Sequence, residues 1–233
     1  MPVARIGGRG TASVSRAMAK VGGFAEGGVA FPTILQANVQ SMSGKVEDLS
    51  KRLEEKEVDV CAVTNGRIKD TGDTKVPGYT LWALGRGDVA LYVRDDITST
   101  KLPIQAPAGL EVLWVRLDSR GLPADVSCMV FCVVYHPHAH TSTLTAPLVT
   151  HLLEVVTGIY SREPDTGIII LGAFRDFPEH KLPLDLNLQQ VVNKPTQRDT
   201  EVIVTNLSHY YKKPKILRPI ASSPHKTVYW VPK

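Results

Sequence analysis

Gly167-Ile168-Ile169-Ile170-Leu171-Gly172-Ala173-Phe174-Arg175 is the stretch that decides the fold. Four consecutive apolar residues between two glycines leave no polar face. The segment is therefore a short strand covered on both sides, delivering a loop to a sheet edge. Working outward, residues 144–160 place Leu148, Leu152, Val155, Val156 and Ile159 on one helical face just before it. Farther upstream, residues 126–135 and 110–117 read as a hairpin, and residues 89–93 pair antiparallel with residues 80–84 across a Gly-rich turn.

The N-terminal half has a different rhythm. Residues 33–39 and 58–64 are apolar strands. Between them Val46, Leu49 and Leu53 recur at helical spacing, with Ser43 as the expected N-cap. Strand, helix and strand in that order predict a parallel pair. Residues 65–75 are expected to be loop. Beyond the organising strand, residues 188–192, 202–205, 215–219 and 226–231 are short strands. Strands and helices alternate early and strands dominate late, which predicts two facing sheets with helices outside. Residues 1–32 are Gly- and Ala-rich with no sustained strand pattern, so the domain organisation expected is a flexible basic arm over 1–32 and one domain over 33–233. An Arg-bearing, acid-poor start also fits a transit peptide.

Of the 233 residues 43% are hydrophobic and 21% charged, enough for one domain with a sizeable core, and no apolar run is long enough to span a membrane. Cys61, Cys128 and Cys132 lack metal-site spacing and suggest reduced thiols in an intracellular protein, nuclear or cytoplasmic; a core role is the plain reading and a redox or metal role the alternative. The charge is uneven. Residues 202–233 carry Lys212, Lys213, Lys215, Arg218, Lys226 and Lys233 with no acid, and residues 1–32 carry four cations against Glu26, so the body between is net acidic. Basic ends on an acidic body fit a nucleic-acid footprint, and solvated surface lysines equally. His136, His138 and His140 alternate after a strand; this reads as a polar loop, with a transition-metal site as the alternative.

In order along the chain, residues 35–53, 58–64, Pro77-Gly78-Tyr79, 89–95, 109–117, 133–137, 167–172 and 190–207 together resemble the endonuclease/exonuclease/phosphatase superfamily, and within it the endonuclease domain of non-LTR retrotransposons. The resemblance implies a four-layer α/β sandwich of the DNase I-like type and cleavage of phosphodiesters with Mg²⁺ and an Asp-His pair. Mg²⁺ takes hard oxygen ligands and stabilises charge on the attacked phosphate.

The family's site residues carry over unevenly. Asn38 matches the Asn at the end of the first strand, and Tyr135 the phosphate-side Tyr. The metal-binding Glu falls on Asn65. The Asp and Asn of Gly-Asp-Phe-Asn fall on Ala173 and Arg175. A later Asp falls on Glu201, and Ser-Asp-His reads Ser223-Pro224-His225. The expectation is a remnant site of Asn38, Tyr135, Glu201 and His225, degenerate at Asn65, Ala173, Arg175 and Pro224. Glu201 and Asn38 then form at most a weak metal site, and no cofactor is expected. The chain reads as a catalytically degenerate domain, a pseudoenzyme binding DNA or other nucleic acid through Arg175 and the basic C-terminal segment. The alternatives are a residually active Mg²⁺-dependent nicking endonuclease and a protein-interaction scaffold.

Overall fold

The structure is a computed structural model that describes residues 31–68, 72–85, 87–136, 141–174, 186–192 and 201–233, with backbone only for 141–143. Among the described residues, strands form two six-stranded sheets. Sheet A has the order β11-β12-β1-β2-β4-β3, from β1 (Ile34–Asn38), β2 (Val60–Ile68), β3 (Tyr79–Ala83), β4 (Gly87–Arg94), β11 (Lys215–Leu217) and β12 (Thr227–Trp230). Sheet B has the order β5-β6-β7-β8-β10-β9, from β5 (Thr98–Lys101), β6 (Glu111–Asp118), β7 (Cys128–His136), β8 (Thr166–Phe174), β9 (Gln189–Gln190) and β10 (Glu201–Thr205). The segment Ile168–Leu171 lies inside β8, whose nine residues are all buried.

Alternation of side chains across each strand divides the core into three layers. Between the sheets, Ile34, Val60, Leu91 and Trp230 of sheet A meet Leu113, Phe131, Leu171 and Ile203 of sheet B. Helix α1 (Val46–Glu55) buries Leu49 and Leu53 on the outer face of sheet A against Leu35, Cys61 and Val63. Helix α2 (Thr141–Tyr160) packs Leu148, Leu152 and Val156 on the outer face of sheet B against Trp114, Cys132 and Ile170. Helix, sheet, sheet and helix give the four-layer α/β sandwich. The expected parallel pair is β1 with β2, and both expected hairpins are antiparallel. All three cysteines are free and buried, and no described helix is long and apolar enough to cross a membrane.

Three local expectations need correction. Lys45, not Ser43, is the N-cap of α1, and it makes no side-chain cap bond; the chain after β1 is instead held by Ser41 N to Asn65 O (2.7 Å) and Met42 N to Gly66 O (2.8 Å). β2 runs on to Ile68, which pairs with Gly87 of β4, so the loop expected from residue 65 starts later. β5 was not expected: Thr98-Ser99-Thr100-Lys101 has no apolar pattern because it is an edge strand paired only with β6.

Candidate functional site

Register brings the candidate residues to one end of the sandwich, called the upper end here. β1 ends at Asn38, paired with Thr64 of β2. In sheet B a single cross-strand row runs Glu111, Tyr135, Ala173, Glu201 through β6, β7, β8 and β10. Residues two positions along from this row, Leu113, Val133, Leu171 and Ile203, face sheet A, so by period two the row faces sheet A as well. On the opposing sheet, Gln36, Asn38 and Thr64 share the face of Ile34, Val60 and Ala62.

The two sheets are fastened there by a buried bond. Gln36 Nε2 donates to Gly172 O at 2.6 Å. Gly172 has φ +153°, and a Cβ on it would lie 1.9 Å from Val134 O, so no other residue fits that close approach. Glycine here is a packing requirement of the sheet end that carries Ala173.

Polar groups at this end are buried at a cost. Gln36 (0% exposed), Asn38 (4%) and Thr64 (0%) each keep one side-chain oxygen (Oε1, Oδ1 and Oγ1) without a partner among the described residues. An unpaired buried oxygen costs about 1–3 kcal/mol. Glu201 is 3% exposed. The loop before β12 closes onto this end: Ser223 Oγ donates to Asn38 O at 2.6 Å and accepts His225 N at 3.2 Å. Ser223 therefore holds His225 beside the end of β1, while Pro224 is exposed.

Asn65 lies at the bulge where β2 slips its register against β4. Its φ is +53°, in the left-handed region that Asn tolerates better than most side chains. Arg67, with φ +45°, donates its backbone N–H to Asp88 Oδ1 at 2.9 Å. Asp88 N donates in turn to Glu111 Oε2. Burial pushes the Tyr135 pKa up, the carboxylates of Asp88 and Glu111 add to that, and Arg67 opposes it. Burial also raises Glu111, against the lowering effect of the Asp88 N–H.

The structure thus brings Asn38, Asn65, Tyr135, Ala173, Glu201 and His225 to one end. Arg175 lies outside the described residues, as do His138 and His140. His136 is not in a loop: it is the buried last residue of β7, paired with Phe174, with its Nε2 3.1 Å from Thr145 Oγ1. Sequence reasoning missed Gln36, Thr64, Arg67, Asp88 and Glu111. For Gln36 a signal existed: a polar residue two before Asn38 in an apolar strand shares its face. Glu111 had none, since only the register of β6 on β7 sets it beside Tyr135.

As a donor set, this end offers amide and hydroxyl oxygens with the carboxylates of Glu201, Glu111 and Asp88, the last two already accepting backbone N–H groups, and Ala173 contributes nothing. Among the described residues no group of three or more His, Cys, Asp or Glu could hold a metal ion.

No protein-family model and no curated protein matches the chain. Solved structures do. The endonuclease domain of TRAS1, a telomere-specific non-LTR retrotransposon, is 12% identical, with a TM-score of 0.66 over 86% of this chain and 98% of that one. The AP endonuclease LMAP from Leishmania major is 14% identical, with a TM-score of 0.65 over 86% and 87%. D. rerio TDP2 complexed with a single-strand DNA product is 11% identical, with a TM-score of 0.57 over 85% and 97%. At these identities the likeness is one of fold, and the fold of this chain is that of the endonuclease/exonuclease/phosphatase proteins, the DNase I-like sandwich.

Proposed function

We propose that this chain is a retrotransposon-type endonuclease/exonuclease/phosphatase domain that has lost metal-dependent phosphodiester cleavage and acts by binding nucleic acid. One observation carries the reading: Ala173 occupies the centre of the row between Tyr135 and Glu201, where the resemblance expects a carboxylate. The second expected carboxylate is the neutral amide of Asn65, held at a left-handed φ on the β2 bulge. With Ala173 and Asn65 neutral at the two expected carboxylate positions and no three His, Cys, Asp or Glu side chains converging among the described residues, the donor set fits a catalytic Mg²⁺ poorly, and no reaction step is derived through one. Arg175 and the acid-free segment 202–233 supply the phosphate contacts. Buried free thiols are compatible with the nucleus or cytoplasm.

The test is nicking of supercoiled plasmid in Mg²⁺ and in Mn²⁺. The chain is expected to leave plasmid intact. A variant combining Asn65→Glu, Ala173→Asp, Arg175→Asn, Glu201→Asp and Pro224→Asp is expected to nick, and single reversions to do almost nothing, because such groups act as a unit. Nicking by the natural chain, abolished by His225→Ala, would replace this reading with a residually active endonuclease. Absence of any salt-dependent DNA binding would favour a protein-interaction scaffold.

A further inference from the structure

The lower end of the sandwich, opposite the candidate site, carries a groove of about 280 Å³ whose lining includes Gln189, Gln190, Ser208, His209, Lys212 and Lys213 and contains no Asp or Glu among the described residues. Its place follows from register. β9 pairs with the last residues of β10, the 3₁₀ turn Ser208–Tyr210 follows β10, and Lys212 N bonds Val231 O (2.9 Å) just past the end of β12.

The groove is rigidly built. Lys233 N bonds Tyr210 O at 3.0 Å, and Trp230 Nε1 bonds Lys212 O at 2.7 Å, so the backbone presenting Lys212 and Lys213 is pinned while both side chains are exposed. Beside them three rings meet. Phe31 and Tyr210 stack 4.4 Å apart at 25°, and the exposed His209 ring lies 4.0 Å from Tyr210, tilted 44° to it. Asp125, the carboxylate beside this stack, accepts the Tyr210 hydroxyl at 2.6 Å and 2.7 Å, which fixes the middle ring. The amides are half used. Ser208 Oγ donates to Gln189 Oε1 (2.8 Å) and Gln190 Nε2 donates to Val192 O (3.2 Å). Gln190 Oε1 is buried with no partner among the described residues.

We infer that this groove binds a segment of single-stranded nucleic acid. Lys212 and Lys213 meet successive phosphates, and a base stacks on the exposed face of His209. Exposed ring faces and amide groups are what unstacked bases use, while duplex DNA hides its base faces and an acidic peptide has no use for a stacking platform. The inference rests on the nucleic-acid reading above but concerns the opposite end of the molecule.

The experiment measures binding of a fluorescein-labelled oligothymidylate and of a labelled duplex to the whole chain across a salt series. The Lys212→Ser/Lys213→Ser double variant is expected to weaken oligothymidylate binding about tenfold and to flatten the log–log salt slope by about 1.4, since each phosphate contact on a single strand contributes about 0.7. His209→Ala is expected to weaken it about tenfold with no change in slope, as loss of one stacked base does. Duplex binding should hold in both variants, and thermal melting confirms that they fold. Single-strand affinity and slope equal to the parent chain in both variants overturns the inference, as does duplex binding without single-strand binding; in neither case is the reading of the upper end touched. A chain that binds neither probe removes both.

Discussion

Two clusters of buried polar groups, one at each end of the sandwich, are treated in opposite ways, with Gln190 Oε1 the lower end's exception. At the lower end Asn206 spends its whole side chain on structure: Oδ1 accepts Ile168 N at 2.8 Å, and Nδ2 donates to Thr166 O at 2.9 Å and Tyr160 Oη at 3.1 Å. Thr205 Oγ1 beside it both donates to Ile168 O and accepts Leu207 N, and Tyr211 Oη donates to Pro32 O. At the upper end Gln36, Asn38 and Thr64 keep buried oxygens without partners among the described residues. Polar residues that close hydrogen bonds hold a fold together, whereas polar residues left open weaken it and point to a site kept for something else.

That contrast can be broken most forcefully at Gly172. Gly172→Ala places a methyl group against the Val134 backbone, so a loss above about 4 kcal/mol, read as failure to accumulate folded protein, is expected. Near-normal urea unfolding of this variant would mean that β7 and β8 do not approach so closely at Gly172.

Next in size is Asn206→Leu. Three hydrogen bonds go and Ile168 N is left bare, for a loss of about 3 kcal/mol and a drop in Tm of about 6–12 °C. Its counterpart is Asn38→Leu, which removes an unpartnered oxygen and should be neutral or stabilise by about 1 kcal/mol. If Asn38→Leu costs as much as Asn206→Leu, the two ends do not differ in the way described.

Asn65→Glu sharpens the comparison at backbone level. A Glu at φ +53° loses the tolerance that Asn has, so about 1 kcal/mol should be lost in chemical denaturation. Asn65→Gly should be close to neutral. Equal losses for Glu and Gly would remove backbone strain as the reason. One consequence follows for regaining chemistry: the restoring carboxylate at this position starts from a backbone that disfavours it.

The smallest effect is on pH dependence. Glu111 is raised in the folded protein mainly by burial, so the folded state binds its proton more tightly than the unfolded chain does. Its contribution is therefore complete below the ordinary Glu range near 4.5 and is lost as pH rises through the raised folded value. Glu111→Gln should flatten the stability–pH curve in that window; an unchanged slope would assign the slope to other groups.

Much of the architecture was legible in the chain because burial on two faces writes itself as composition. Ile168-Ile169-Ile170-Leu171 has no polar face to offer, and Leu49 and Leu53 one helical turn apart can bury only one side of α1. Edge strands leave no such mark, which is why β5 escaped notice and β9 was drawn too long.

The sequence by itself determined which residue types stand at the upper end: Ala173 and Asn65 carry no charge, whatever surrounds them. Tertiary structure alone decided what those residues meet. Cross-strand register aligned Glu111, Tyr135, Ala173 and Glu201 from four strands into one row, Ser223 folded a distant loop onto the carbonyl of Asn38, and Gln36 reached Gly172 across the core. The physical reason is range. Hydrophobic period is a local property of a few residues, whereas hydrogen-bond closure between sheets depends on partners more than a hundred positions away, and only the packed fold says which of them arrive.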